Sequence, residues 1–280
     1  MTERVVVVGA GQMGAGIAQV AAAAGMRVTL VDVGEEQLAR ALTGIGGSLA
    51  KLAAKGQCGD PEAVLARIST ATDLSGAADA ELAIEAASED VELKLAIFRQ
   101  LDGALGPRAV LASNTSSIPI GRLAAATGRP AQVCGMHFMN PPALMPLVEL
   151  IRGLETSDET VALVRGTAEA MGKTVAEARD VPGFLANRML LPMLNEAAFC
   201  LYEGVGDAEA IDTVMRLGMN HPLGPLALAD LIGLDTCLAI LEVLHDGFGD
   251  PKFRPCPLWR QYVEAGRLGR KAGRGFHDYR

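Results

Sequence analysis

Two hydrophobic periods divide the chain. Over its first two-thirds, short continuous apolar runs alternate with runs of helical period. Residues 4–8 are Arg4 followed by four valines, as expected of a parallel strand covered on both faces. The spacing predicts a helix over 14–24 closed by Gly25, a strand over 26–31, and two helical runs filling 35–66 around a loop at 56–61. Further strands are predicted over 68–71, 82–86, 110–113, 132–137, 147–151 and 173–177. A helix over 90–105 places Val91, Leu95, Phe98 and Leu101 on one face, and a second over 157–171 opens on Ser157-x-x-Thr160, an approximation to a capping box. This alternation predicts an α/β unit: an open, mostly parallel, Rossmann-type doubly wound sheet with helices on both faces.

After Pro182 only the helical period remains. A long apolar helix is predicted over 185–202, with Pro192 a kink or a tolerated break, and further helices over 207–217, 226–244 and 258–265. The change of period puts a boundary after residue 184, with a dinucleotide-binding domain over 1–184 and an all-helical substrate and dimerisation domain over 185–280. The second domain is small and its helices are apolar, so pairing with a second copy, a homodimer, is expected.

Composition narrows the class. Half of the 280 residues are hydrophobic and 21% are charged, enough to build a soluble core. The formal net charge of -8 argues against nucleic acid or an anionic membrane as a general partner. No charged residue stands between Val5 and Met26, a length that could span a bilayer, but Gln12, Gln19 and repeated glycines interrupt it and Glu3 precedes it. It reads as a buried strand, a turn and a buried helix. Cys58, Cys134, Cys200, Cys237 and Cys256 are dispersed without metal-ligand spacing, as free thiols of a cytoplasmic protein would be, and no metal site is expected.

Gly9-Ala10-Gly11-Gln12-Met13-Gly14 stands between the first strand and the first helix, and Asp32 ends the next strand. In that context Gly9 makes the tight turn, Gly11 lets a pyrophosphate approach the backbone and Gly14 permits close helix packing. The helix N-terminus, with Gln12 and Met13 in the turn that leads into it, offers unpaired N–H groups to phosphate. Asp32 can accept hydrogen bonds from ribose hydroxyls and would repel a 2′-phosphate, and neither Val33 nor Gly34 supplies a cation. The cofactor expected is therefore NAD, with FAD a minor alternative.

Oxidation of an alcohol by NAD needs a base. His137 ends a predicted strand, on the edge where open α/β sheets bind ligands, and leads into Phe138-Met139-Asn140-Pro141-Pro142. Glu149 lies in the next strand among Leu147, Val148, Leu150 and Ile151, where a charge is costly unless paired. Spacing alone fits a His137–Glu149 dyad and a buried histidine with an exposed edge carboxylate equally. Ser113-Asn114-Thr115-Ser116-Ser117 follows another strand, either as a helix cap or as a cluster of ligand-binding hydroxyls. His221, His245 and His277 have no comparable setting.

These segments together resemble the 3-hydroxyacyl-CoA dehydrogenase family, including its short-chain 3-hydroxybutyryl-CoA members. The resemblance runs from the Gly9 fingerprint to Gly273-Arg274-Gly275-Phe276. It includes the Ser113–Ser117 run, His137-Phe138-x-Asn140-Pro141, Leu147-Val148-Glu149, Pro182-Gly183-Phe184-x-x-Asn187-Arg188, Gly224-Pro225 and Gly233-Leu234-Asp235. It implies reversible NAD-linked oxidation of an (S)-3-hydroxyacyl-CoA to the 3-ketoacyl-CoA. His137 would be the general base, Glu149 its support, and Ser116 and Asn187 the holders of substrate oxygens, with Ser116 also near the nicotinamide. Glu89, Lys94, Asn140 and Lys271 match family NAD contacts, and Ser48 and Lys55 match family CoA contacts. Met139, Pro146 and Ala227 depart from the family's usual Phe, Lys and acidic residue, which bears on chain-length preference and removes no catalytic group. A gulonate-type dehydrogenase of a free hydroxy or sugar acid on the same scaffold is the main alternative. A non-catalytic nucleotide-binding protein and an enzyme with a lysine acid/base are weaker ones.

Overall fold

A computed structural model describes residues 2–280, in two compact units that divide between Val181 and Pro182. Gly183 and Phe184 thus go with the second unit, ahead of the boundary expected after residue 184. Locally the reason is the start of the first helix of that unit, where the Gly183 carbonyl accepts from the Arg188 N–H at 3.1 Å.

The first unit is an eight-stranded sheet. Its strands are β1 (Arg4–Val8), β2 (Arg27–Val31), β3 (Ile68–Ala71), β4 (Leu82–Glu85), β5 (Val110–Ser113), β6 (Val133–Phe138), β7 (Leu147–Arg152) and β8 (Thr174–Arg179). The order is β3-β2-β1-β4-β5-β6-β7-β8. The first six strands are parallel, β7 runs antiparallel to β6, and β8 is parallel to β7. The order reverses between β1 and β4, the point at which doubly wound sheets open a crevice for ligands. Flanking helices are α1 (Gln12–Ala23), α2 (Glu35–Ala54), α3 (Pro61–Leu65), α4 (Val91–Ala104), α5 (Ile120–Ala124) and α6 (Asp158–Ala170). Val5 and Val7 of β1 pack with Ile17, Leu30, Ile84 and Phe138 in one core, which is why these strands read as unbroken apolar runs.

Several boundaries differ from the pattern. α1 begins at Gln12, two residues before the predicted start, because the glycine turn closes at Gly11. Ser157 does cap α6, its Oγ accepting from the Thr160 N–H at 3.2 Å. The box is only half made, since the Thr160 hydroxyl donates to the Ala131 carbonyl instead. The short α5 has no periodic signal; the Asp180 carboxylate, distant in sequence, accepts from the Ile120 and Gly121 N–H groups at 2.9 and 2.8 Å.

The second unit contains α7 (Ala186–Tyr202), α8 (Ala208–Thr213), α9 (Pro225–Ile232), α10 (Leu234–Phe248) and α11 (Pro257–Glu264). Pro192 sits inside α7. The run expected as a helix over 207–217 passes from α8 into a π-helical turn at Val214–Gly218. The single helix expected over 226–244 is two. Gly233 adopts φ +107°, outside helical space and accessible to glycine at little cost, so α9 stops and α10 starts again in a new direction. Buried polar groups then organise this unit. The Asp230 carboxylate accepts from the Phe276 and His277 N–H groups and the Tyr279 hydroxyl, fastening the C-terminal tail. Asp212 accepts from Leu226 and Ala227 N–H at the start of α9 and pairs with His277 Nε2 at 2.7 Å.

Asn195, buried in α7, donates to the Arg254 carbonyl and accepts from the Cys256 N–H and from Nε1–H of Trp259 at 2.9 Å. Asn195→Ala leaves these buried donors unpaired and is expected to cost about 2–4 kcal/mol. Trp259 is the only tryptophan, so urea unfolding followed by its fluorescence reads the loss directly; an unchanged midpoint would contradict the assignment.

Candidate active site

The nucleotide end is built from two neighbouring strand ends. Gly9 leaves β1 with φ +101°, and a Cβ there would stand 2.7 Å from the Ala86 carbonyl oxygen; a Cβ on Gly14 would collide with the Gly9 carbonyl. Nothing lies near the place of a Cβ on Gly11, so the backbone there is open to a ligand. Asp32, just past β2, accepts from the Ala10 N–H at 2.8 Å and from the Gly34 N–H at 3.1 Å, one on each carboxylate oxygen. Each oxygen keeps a further lone pair for a hydroxyl donor. A groove of about 1070 Å³ runs past Gly9, Gly11, Asp32, Val33, Ala87 and Ile97. Gln12 and Met13 occupy the first turn of α1, where N–H groups have no helical partner and no acidic side chain intervenes. An open backbone at Gly11, a helix N-terminus and a carboxylate with spare acceptor capacity fit the phosphates and ribose of NAD.

Beside this groove the ends of β4 and β5 carry a buried charge cluster. Glu85, the last residue of β4, is fully buried, and so is Lys94 of α4. Lys94 Nζ lies 2.6 Å from Glu85 Oε1, 3.1 Å from the Ala87 carbonyl and 3.5 Å from Glu89 Oε2. Lys94 is 1% exposed and is not among the residues that line the groove. Glu85 also accepts from the Ala87 N–H at 2.7 Å and the Ser113 hydroxyl at 2.6 Å. The predicted Ser113–Ser117 cluster wraps Glu89. Its Oε1 accepts from the Thr115 hydroxyl at 2.6 Å, the Ser116 N–H at 3.0 Å, the Ser117 N–H at 3.1 Å and the Ser117 hydroxyl at 2.8 Å. Glu85 has no place in the sequence reading, although a charge closing the apolar run Leu82-Ala83-Ile84 is the same signal that singles out Glu149.

The antiparallel pairing of β6 and β7 sets His137 opposite Glu149. His137 Nδ1 lies 3.0 Å from Glu149 Oε2; the ring is 12% exposed and the carboxylate 2%. A carboxylate taking the Nδ1 proton fixes the tautomer with its lone pair on Nε2. The Asn114 side-chain oxygen accepts from the Phe138 N–H at 2.8 Å, tying the serine loop to the strand that carries His137. Asn140 is exposed in the following loop, where the Asn140–Pro141 peptide is cis. Lys173 holds that loop, donating to the carbonyls of Pro142 at 2.6 Å and Met145 at 2.9 Å. Burial lowers the Lys173 pKa.

The other predicted residues are more dispersed. Ser48 lies on α2 and Lys55 caps its C-terminus two turns later on the same face, with Lys51 exposed between them. Asn187 stands in the first turn of α7, beside Arg188, whose guanidinium lies 4.2 Å from the Phe248 ring centroid. Lys271, in the tail of the second unit, pairs with Asp235 at 2.6 Å. Among the described residues no group of three or more His, Cys, Asp or Glu could hold a metal, and no helix is long and apolar enough to cross a membrane.

Burial works to raise the Glu89 carboxyl, but hydrogen bonds from Thr115, Ser117 and Ser116 and the nearby Lys94 charge outweigh it and hold it below the ordinary range. Such a group stabilises the fold above the pKa it has when unfolded and stops doing so as pH falls through its lowered value. The stability gap between the native chain and Glu89→Gln is therefore expected to be full above about pH 5 and to close below it. Urea midpoints at neutral pH and near pH 3 measure this; a gap that persists in acid would contradict it.

Residues 4–181 match the family of the 3-hydroxyacyl-CoA dehydrogenase NAD-binding domain, and residues 183–279 match that of the 3-hydroxyacyl-CoA dehydrogenase C-terminal domain. The chain is 58% identical to a probable 3-hydroxybutyryl-CoA dehydrogenase of Deinococcus radiodurans, over 98% of this chain and 99% of the relative. It is 54% identical to a 3-hydroxybutyryl-CoA dehydrogenase of Bradyrhizobium diazoefficiens, over 99% of this chain and 96% of that one. The crystal structure of (S)-3-hydroxybutyryl-CoA dehydrogenase from Ralstonia eutropha superposes with a TM-score of 0.98 at 47% identity, covering 100% of both chains. With both halves matched and the dyad, glycine turn and serine loop in place, the chain belongs to the 3-hydroxyacyl-CoA dehydrogenase family.

Proposed function

We propose that this protein is an NAD-dependent dehydrogenase that interconverts short-chain (S)-3-hydroxyacyl-CoA, such as 3-hydroxybutyryl-CoA, and the 3-ketoacyl-CoA. The observation that carries the reading is the 3.0 Å contact of His137 Nδ1 with the buried Glu149, on the same unit as the Asp32 turn. Asp32 and the Gly9–Gly14 turn hold the ribose and phosphates of NAD. NAD, when bound, supplies the hydride acceptor. His137 Nε2 takes the proton of the 3-hydroxyl, and Glu149 stabilises the imidazolium so formed. Glu89 orients the Ser116 segment, and Ser116 and Asn187 hold the substrate oxygens. Ser48 and Lys55 meet the CoA moiety, a lysine there offsetting the acidic average charge. Five cysteines present as thiols support a reducing, cytoplasmic setting.

The second unit further supports a homodimer. Val205, Val214, Leu217 and Met219 are more than half exposed, and Val205 and Val214 border an apolar groove of about 510 Å³ with Met193, Ala197 and Ile211. Sedimentation is expected to give twice the chain mass, and Val214→Asp to shift the population toward monomer; a monomeric native chain would contradict the reading.

The deciding assay follows NADH absorbance with acetoacetyl-CoA and, separately, with free acetoacetate or a sugar-acid substrate. Oxidation of NADH with the thioester alone is expected. Turnover of the free acid and none of the thioester would overturn the substrate and the CoA contacts. In the same assay His137→Gln is expected to keep NADH binding and lose about 10²–10⁴-fold in kcat; near-native turnover would remove His137 as the base.

A further inference from the structure

The mechanism leaves two fully buried charges unused. Glu85 and Lys94 are both out of water, where an isolated charge is strongly disfavoured and an ammonium must be partnered. Lys94 has two carboxylates within reach: Glu85 Oε1 at 2.6 Å and Glu89 Oε2 at 3.5 Å. Glu89 in turn is the acceptor around which Thr115, Ser116 and Ser117 are arranged, all of them on its other oxygen. A Glu89 side chain drawn fully onto Lys94 would have to release those donors. Glu85 cannot itself drift away from Lys94. The β4–β5 register sets it beside Ser113, whose hydroxyl it accepts, and the Ala87 N–H binds its Oε1. Ser113 Oγ also accepts from the Thr115 N–H at 3.1 Å, a second arm from Glu85 to the same loop.

We infer that Glu85 is a positioning residue. Its carboxylate occupies the Lys94 ammonium and so leaves Glu89 to hold the Thr115–Ser117 loop in the shape the reaction uses. The effect of Glu85 on turnover rests on the dehydrogenase reading; its effect on the loop does not. Glu85 acts through Lys94, so removing its charge should matter most while Lys94 is charged, and less once Lys94 is gone. A carboxylate needed only for packing would show the opposite, each further substitution adding to the damage.

Amide hydrogen exchange of the segment 113–118 in cofactor-free protein tests this, because the Ser116 and Ser117 N–H groups are the donors to Glu89. Glu85→Gln, which keeps shape and removes charge, is expected to speed exchange there about tenfold or more. In Glu85→Gln/Lys94→Met exchange should return to within about threefold of the native rate. kcat with acetoacetyl-CoA should fall at least about tenfold in Glu85→Gln. Native exchange rates in Glu85→Gln, or exchange in the double variant as fast as in the single one, would overturn the inference. If Glu85→Gln does not fold, the double variant, in which both members of the buried Glu85–Lys94 pair are neutral, is read alone: exchange near the native rate supports the role, and a tenfold acceleration refutes it. A native chain that fails to turn over the thioester yet follows this exchange pattern would sink the dehydrogenase reading and leave the positioning role standing.

Discussion

A carboxylate withdrawn from water has to be given donors, and at the carboxyl edge of this sheet that demand decides where the loops go. Asp32 collects the N–H groups of two successive turns and so joins the ends of β1 and β2. Glu85 joins the end of β4 to Ser113 at the end of β5. Glu89 gathers the serine loop that follows β5, and Glu149 takes the ring of His137 across the β6–β7 pair. Each acid links segments that a hydrophobic core alone would leave to drift, and together they run along the ligand-binding side of the sheet. Asn114, accepting from the Phe138 N–H, joins the β5 loop to the strand that carries the histidine.

The second unit solves the same problem away from any sheet. Asp212 and Asp230 hold the start of α9 and the C-terminal tail, and Asn195 holds the segment around Cys256 and Trp259. An apolar helical core is non-directional and tolerates many packings; three buried polar hubs with fixed donors select one. The tail that carries Lys271 is therefore not a loose end, since Phe276, His277 and Tyr279 all bind Asp230.

Much of this arrangement is written in local pattern, and the parts that are not share a cause. The strands β1 and β5 stand where their apolar runs stand, because both faces are covered and Val5, Val6, Val7, Val110, Leu111 and Ala112 are buried. Glu149 is conspicuous because apolar residues flank it on both sides. Glu85 carries the same signal within the strand expected over 82–86, but no local residue names its partners, which stand on β5 and α4. Lys94 falls within the apolar stripe of Val91, Leu95, Phe98 and Leu101, but its partner is on another element and the stripe does not name it. The break at Gly233 hides inside a periodic run, since a single glycine interrupts the backbone without interrupting the hydrophobic stripe. α5 depends on an aspartate about sixty residues away. Apart from that glycine, what eludes the pattern depends on a partner on another element.

The antiparallel turn-back of β7 has a consequence for how such a protein can diversify. His137 and Glu149 meet because they are opposite one another in a paired ladder, not because of the loop that joins their strands. A ladder admits no small adjustment. A slip of one residue would carry Glu149 to the far face of the sheet. The connecting segment from Met139 to Pro146 obeys no such rule, and several of its side chains, among them Leu144 and Met145, are exposed. Exposed side chains of that segment can be substituted while His137 and Glu149 stay in register. The His137–Glu149 pairing and the make-up of that loop are thereby placed under separate structural control.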